Sequence, residues 1–100
     1  MAKKRAEYRL TPAAAQDLEA IWLYTFEQWG IDQAHQYTDE LVAAFDQLAD
    51  HPKLGSACDD IRKGYRRSRM GQHAIYFCIT DYGIAIIRIL HDRMDAPRHL

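Results

Sequence analysis

Two helical stripes separated by a single glycine constrain this chain more than any other feature. After Thr11-Pro12, apolar residues fall at Ala14, Leu18, Ile21, Trp22, Phe26 and Trp29, one stripe on a helix of about 3.6 residues per turn. Thr11 can cap the free N–H groups, and Pro12 sits at the first helical position, where its missing donor costs nothing. Gly30 ends this helix, because glycine takes the left-handed conformation that a helix C-terminus often needs. Asp32 is positioned to cap a second helix with the stripe Ala34, Tyr37, Leu41, Ala44, Phe45 and Leu48, stopped by Asp50-His51-Pro52. Asp39, Glu40 and Asp46 lie off that stripe and make an acidic face. So short a link between two long amphipathic helices makes an antiparallel helical hairpin.

The period then changes from helical to alternating. Glu7-Tyr8-Arg9-Leu10 is a short first strand with Tyr8 and Leu10 on its buried face. A loop from Leu54 to about Arg62 leads into three strands, Tyr65 to Met70, His73 to Thr80 and Ile84 to His91. Gly71-Gln72 and Asp81-Tyr82-Gly83 supply the turns. The middle strand carries Ile75, Phe77 and Ile79 on one face and Tyr76 and Cys78 on the other. The last is nearly all apolar and β-branched, as befits a central strand buried on both faces. The polar segment Asp92–Leu100 contains Pro97, which argues against regular structure there. The expected fold is α+β in the order β-α-α-β-β-β, with the hairpin on one face of a twisted antiparallel sheet. Residues 1–100 form a single domain, with 1–5 and 96–100 as flexible tails.

Composition narrows the function class. The 48% hydrophobic fraction supports a core, and 27% charge with a net of −1 marks an ordinary globular chain. No apolar run follows the basic start Met1-Ala2-Lys3-Lys4-Arg5, and none approaches the about 20 residues of a membrane span. A cytoplasmic protein is expected, with Cys58 and Cys78 as free thiols. Charge is divided along the chain: residues 1–60 hold five basic and eleven acidic side chains, a net of −6, and residues 61–100 hold eight and three, a net of +5. The basic half is the place to seek an acidic partner.

Individual candidates divide between chemistry and ordinary structure. His35 and Asp39 stand one helical turn apart, but with no third ligand nearby they belong to a solvated helix face rather than a metal site. Asp59-Asp60 fits a loop facing water, and glycine-rich phosphate loops and nucleophile elbows are absent. Neither a metal nor another cofactor is expected. In the cluster Arg62, Lys63, Arg66, Arg67 and Arg69, Arg67 and Arg69 share a strand face and Arg66 points the other way. These arginines are a solvated sheet edge or a contact for a carboxylate or phosphate, which arginine grips as a fork. Arg88 lies amid Ile86, Ile87 and Ile89, and a buried arginine needs a partner; Asp17 or Glu19 are the candidates.

These residues resemble a family. Ala15-x-Asp17-Leu18-x-x-Ile21-x-x-Tyr24, Ala34, Leu48-x-x-His51-Pro52-x-x-Gly55, Arg69 with His73, Ile75 and Tyr76, and the closing run Ile86-Ile87-Arg88-Ile89-Leu90-His91-x-Arg93-x-Asp95 are together similar to ParE-type toxins of bacterial toxin–antitoxin systems. The resemblance spans about residues 7–95 and implies the fold shared with the RelE ribonuclease toxins. It further implies a ParD-type antitoxin as partner and inhibition of DNA gyrase by binding rather than catalysis, without membrane attachment or specific nucleic-acid binding by the chain alone. Arg88, His91, Arg93 and Asp95 are the expected gyrase-facing residues, since that segment is basic and exposed at its end. Trp22, Trp29, Arg66, Arg67 and Arg69 are the expected antitoxin contacts. The alternatives are a RelE-like endoribonuclease, with Arg66, Arg67, Arg69 and Arg88 on a phosphate and His73 or His91 moving protons, or a non-toxic homologue that only binds an antitoxin. Against the ribonuclease, the chain ends without a tyrosine, and Asp92 and Asp95 would repel a phosphate.

Overall fold

The computed structural model describes residues 6–100; the expected basic tail at 1–5 lies outside them. The order is β1 (Glu7–Leu10), α1 (Pro12–Trp29), α2 (Ile31–Asp50), a 3-10 turn (Pro52–Leu54), β2 (Ser56–Ala57), β3 (Tyr65–Met70), β4 (His73–Ile79), β5 (Gly83–His91) and α3 (Ala96–His99). Thr11 caps α1 as expected, its hydroxyl accepting the Ala14 N–H at 3.1 Å. Gly30, with φ +94°, serves both helices: it closes α1 and also precedes α2. Asp32 is therefore inside the first turn of α2 instead of capping it, where its charge still favours the positive end of the helix.

The strands form one sheet in the order β1-β5-β4-β3-β2. The α+β architecture matches the expectation, but the sheet is mixed, because β1 runs parallel to β5 from Glu7↔Gly83 to Leu10↔Ile86. No hairpin links these two strands. The whole of the helical hairpin and three further strands intervene, and so long a connection permits the parallel pairing that a tight turn forbids. The loop after α2 also contributes a two-residue strand, β2, against Arg66 and Arg67 of β3.

The main core lies between the hairpin and the sheet. Leu41 and Phe45 of α2 meet Ile75, Phe77, Ile84 and Ile86, all fully buried. A smaller cluster on the opposite face gathers Cys58, Tyr76 and Leu90, with Ile61, Tyr65 and Leu100 against it. Both faces of β5 are thus covered, as expected. A bulge lets one strand serve both clusters: Tyr76 pairs with Arg88 but Phe77 with Ile86, leaving Ile87 as the extra residue. Ile84, Ile86 and Ile89 enter the main core and Leu90 enters the other.

One further expectation is corrected, and three apolar side chains lie outside the core although they share a face or stripe with core residues. Asp92–Leu100 is not wholly irregular: Pro97 lies in the first turn of α3, where a missing N–H is tolerated. Ile79 shares the face of Ile75 and Phe77 but is exposed at the end of β4. On α1 only Ala14, Ile21 and Thr25 are buried, while Phe26 and Trp29 are exposed, so the C-terminal half of that stripe leaves the core. Among the described residues, no helix is long and apolar enough to cross a membrane.

Candidate functional site

The sequence-nominated residues converge on the C-terminal end of β5. Beyond Ile86 this strand has lost its neighbour β1, so its outer edge must find other partners. The start of α1 supplies them. Thr11 N–H donates to Ile86 O at 3.1 Å, the Thr11 hydroxyl donates to Ile87 O at 2.8 Å, and the Asp17 carboxylate accepts Ile89 N–H at 2.9 Å. The same carboxylate takes the fork of Arg88, with Nε at 2.7 Å and Nη2 at 2.8 Å. Arg88 and Asp17 side chains are only 23% and 15% exposed. This bond to Asp17 holds the guanidinium pKa above its ordinary value. Asp17, one of two anticipated partners, is the one used; Arg88 is a seam between α1 and β5 and also donates to His99 O.

One residue beyond the strand's buried part, His91 stands at a junction. Its Nε2 is 3.3 Å from Gln72 Oε1, and its Nδ1 accepts the Arg93 N–H at 3.1 Å. Its ring meets His73 edge-on, with centroids 5.3 Å apart. His73 in turn lies 2.6 Å from the Tyr37 hydroxyl, which accepts Gln72 N–H at 3.2 Å and lies 3.4 Å from Met70 O. Burial, reinforced by the nearby His91, pushes the His73 pKa down, and burial pushes the Tyr37 phenol up. Tyr37 so clamps the β3–β4 turn to α2. Gly71 is required there: at φ +59°, a Cβ would come within 2.6 Å of the Tyr37 oxygen.

Hollows open on both sides of His91. On the helix side, Tyr24, His73, Ile89, His91, Arg93 and Met94 line a mainly apolar groove of about 410 Å³, and a neighbouring hollow extends it towards Trp29 and Tyr37. Exposed apolar side chains continue along the hairpin end: Leu23, Phe26, Trp29, which is 74% exposed, and Ile31. Trp22 is half-buried, stacked on Phe26 at 5.3 Å and tilted against His35. On the outer sheet face, Arg67, Arg69, Tyr76, His91 and Asp92 line a polar basin of about 480 Å³. Arg69 pairs with Asp92, and Arg67 stands opposite Tyr76, whose hydroxyl raises the arginine's pKa.

The nominated set therefore separates into surfaces with different partners. Trp29 adjoins the His91 groove, while Arg67 and Arg69 lie on the outer face with His91 at the rim. Arg66 belongs to neither: it donates to Gly55 O and, at 3.3 Å, to Pro52 O, fastening the turn after α2. Asp95 pairs with Arg98 one turn on, and Arg93 is exposed. Tyr24, Tyr37 and Met94 line the groove without having been nominated as site residues: Tyr24 entered only through the family pattern, Tyr37 only as part of the helical stripe, and Met94 only within the polar C-terminal segment. Cys58 and Cys78 are free thiols on either side of Tyr65, with burial raising both pKa values. Asp59 accepts the Gly64 N–H at 2.7 Å, an ordinary loop contact. Among the described residues, no three His, Cys, Asp or Glu side chains are placed to hold a metal ion.

Comparison with known proteins identifies the family and the fold. The chain is 47% identical to Toxin ParE1 of Mycobacterium tuberculosis over 96 residues, covering 95% of this chain and 98% of that one. It is 40% identical to Toxin ParE1 of Caulobacter vibrioides over 93% of this chain and 96% of that one, and 31% identical to Toxin ParE of Escherichia coli over 93% and 91%. A chain from the chromosomal ParDE TA system of P. aeruginosa superposes with a TM-score of 0.74 at 21% identity, covering 89% of this chain and 98% of that one. The family model for the ParE toxin of the type II toxin-antitoxin system parDE matches residues 8–96, and the chain belongs to that family of toxins.

Proposed function

We propose that this toxin acts in the cytoplasm by binding DNA gyrase and blocking replication, without catalysis, and that a ParD-type antitoxin neutralises it by covering the apolar end of the helical hairpin. The observation that carries the binding reading is the run of exposed Leu23, Tyr24, Phe26, Trp29 and Ile31, continuous with the groove at His91. Large exposed apolar patches mark surfaces that a partner covers. A ribonuclease needs a proton-transfer group and several cations on one phosphate. Here Arg66 and Arg88 are engaged by the fold and His73 is turned to Tyr37 on the helix side; Arg67, Arg69 and His91 do share the outer basin, but Asp92 is paired with Arg69 there and its carboxylate would repel a phosphate. Residues 1–100 act as one toxin domain in this reading.

His91, Arg93 and Asp95 are the proposed gyrase contacts; Arg88 supports them through Asp17. Supercoiling and cleavage by gyrase in the presence of the purified chain test the target, with an RNA cleavage assay alongside. Inhibited supercoiling with accumulated cleaved DNA and intact RNA is the expected result. Cut RNA with unimpaired gyrase would replace the reading by a ribonuclease, and an effect on neither would leave an antitoxin-binding homologue. Purified alone, the chain should be poorly soluble or self-associate, and a ParD-type peptide should cure this; a soluble monomer without affinity for the antitoxin would argue against the reading.

A further inference from the structure

We infer that the basin on the outer sheet face is a receptor for an isolated carboxylate of an acidic peptide segment, held shut in the free protein by the chain's own Asp92. It rests on the toxin reading only for the peptide's natural owner; the chemistry of the basin stands on its own residues.

The basin opens on the other side of His91 from the mainly apolar groove, and it presents two arginines where the groove has Arg93 alone. Arg67 and Arg69 project from alternate positions of β3 onto one face, and the registers Arg67↔Tyr76 and Arg69↔Ala74 place them over β4. Small Ala74 and Ala96 leave the floor open between them, and Tyr76, buried beneath Arg67, forms part of its wall. His91 contributes its rim from β5. Two guanidinium groups at the mouth of one hollow are a natural carboxylate trap, since each presents planar paired donors.

Asp92 shows which ligand this arrangement accepts. Its carboxylate is already on Arg69, across the basin wall, with the Arg69 side chain 70% exposed and Asp92 31%. Its backbone N–H donates to Gln72 O at 2.9 Å, so the segment is tethered while the side chain is free to turn away. An ion pair this exposed is worth little and opens readily. An incoming carboxylate can therefore take its place on Arg69 and share Arg67.

The rim discriminates between kinds of anion. Asp60 lies close enough to influence Arg67, and Asp92 lines the basin beside Arg69. A single nucleic-acid strand carries a charge on every nucleotide, and each phosphate beyond the first would approach these carboxylates. A peptide can place one carboxylate between neutral residues and avoid them. The division between an acidic first half and a basic second half adds a field that draws such a segment to this face.

The test uses the full-length chain and a fluorescent, C-terminally amidated hexapeptide with one glutamate among alanines, followed by amide NMR shifts and by anisotropy at low salt. Saturable shifts at Arg67, Arg69 and His91 are expected, with those at Leu23 and Trp29 unmoved. Asp92→Asn should tighten binding by roughly two- to five-fold, the worth of an exposed ion pair. Arg67→Gln with Arg69→Gln should weaken it by about ten-fold or more, with circular dichroism and melting unchanged. Hexathymidylate should bind more weakly than the peptide. Tighter binding of hexathymidylate would make the basin a nucleic-acid surface, and overturn the inference. So would shifts confined to the hairpin, or an Asp92→Asn variant that binds no better. These outcomes are independent of gyrase, so a failed gyrase assay leaves them untouched, and a failed peptide titration leaves the toxin reading untouched.

Discussion

Two arginine–carboxylate pairs lie at the two margins of the same sheet, and their surroundings give them different work. At the helix–sheet seam, Arg88 and Asp17 are largely buried, and the carboxylate also accepts a backbone N–H from β5. On the outer face, Arg69 is mostly in water, Asp92 is about twice as exposed as Asp17, and their contact is a single one. Burial makes the first pair difficult to break, because either partner left alone would keep its desolvation cost without its compensation. Exposure makes the second pair easy to open, since water replaces what is lost. The seam thus fixes where β5 ends and which way His91 faces, and the outer pair can exchange partners. A charged residue in this toxin is a candidate contact only where its present partner is expendable.

The largest effect that can break this comparison is at Asp17. Asp17→Ala would strand the Arg88 guanidinium and leave Ile89 N–H without its acceptor, at a cost of about 3 kcal/mol. Urea denaturation of the variant beside the parent measures it. A loss below about 1 kcal/mol would place the seam pair in the same class as the outer one. Arg88 therefore should not be replaced in a toxicity test without a stability control.

Next in size is Gly71→Ala, which sharpens the seam side. An alanine at φ +59° costs about 1–2 kcal/mol in backbone conformation, and its Cβ would also displace Tyr37 from the turn. A destabilisation of about 2 kcal/mol is expected, with faster amide exchange at Gln72 and His73. Unchanged exchange at those amides would show that Tyr37 does not clamp the turn.

Much of this frame was legible in the sequence, because the hairpin and the meander are written in local periods and short turns. The Arg88 partner was legible for a related reason: a cation among isoleucines had to be answered, and Asp17 lay on the helix that packs there. What escaped depends on contacts between distant segments. The β1–β5 pairing joins residues that no turn connects, so nothing local sets its direction. The bulge hides in Ile86-Ile87, where both residues are apolar and either phase fits. Phe26 and Trp29 fit the helical stripe, but a stripe records apolarity and not what covers it. Arg66 read as one more cation of a basic cluster, because its acceptors are backbone oxygens brought near by the turn after α2.

A smaller effect separates the two regions by pH. His73 packs against Tyr37 of α2 and His91 of β5, with Asp92 and Asp17 opposing the shift from a distance, and burial keeps its folded pKa below the ordinary value. The folded state binds fewer protons than the unfolded one between those two values. Its contribution is therefore complete above about pH 6.5 and declines as pH falls below it, through the lowered folded pKa. Denaturation of His73→Gln across pH 5 to 8 should remove part of that decline. An identical pH profile in the variant would assign the acid sensitivity to other groups.

Arg69→Gln should have the smallest effect on stability and the most selective one on binding. Its partner Asp92 returns to water at little cost, so the change is at most about 0.5 kcal/mol, within the scatter of surface substitutions. The melting temperature should stay within a few degrees of the parent, and salt should not widen the gap, because screening already weakens an exposed pair. A loss as large as that of Asp17→Ala would mean that the outer pair holds the β5 terminus in place. Asp92 would then be a structural anchor and not an exchangeable occupant, and the two margins of the sheet would no longer differ in kind.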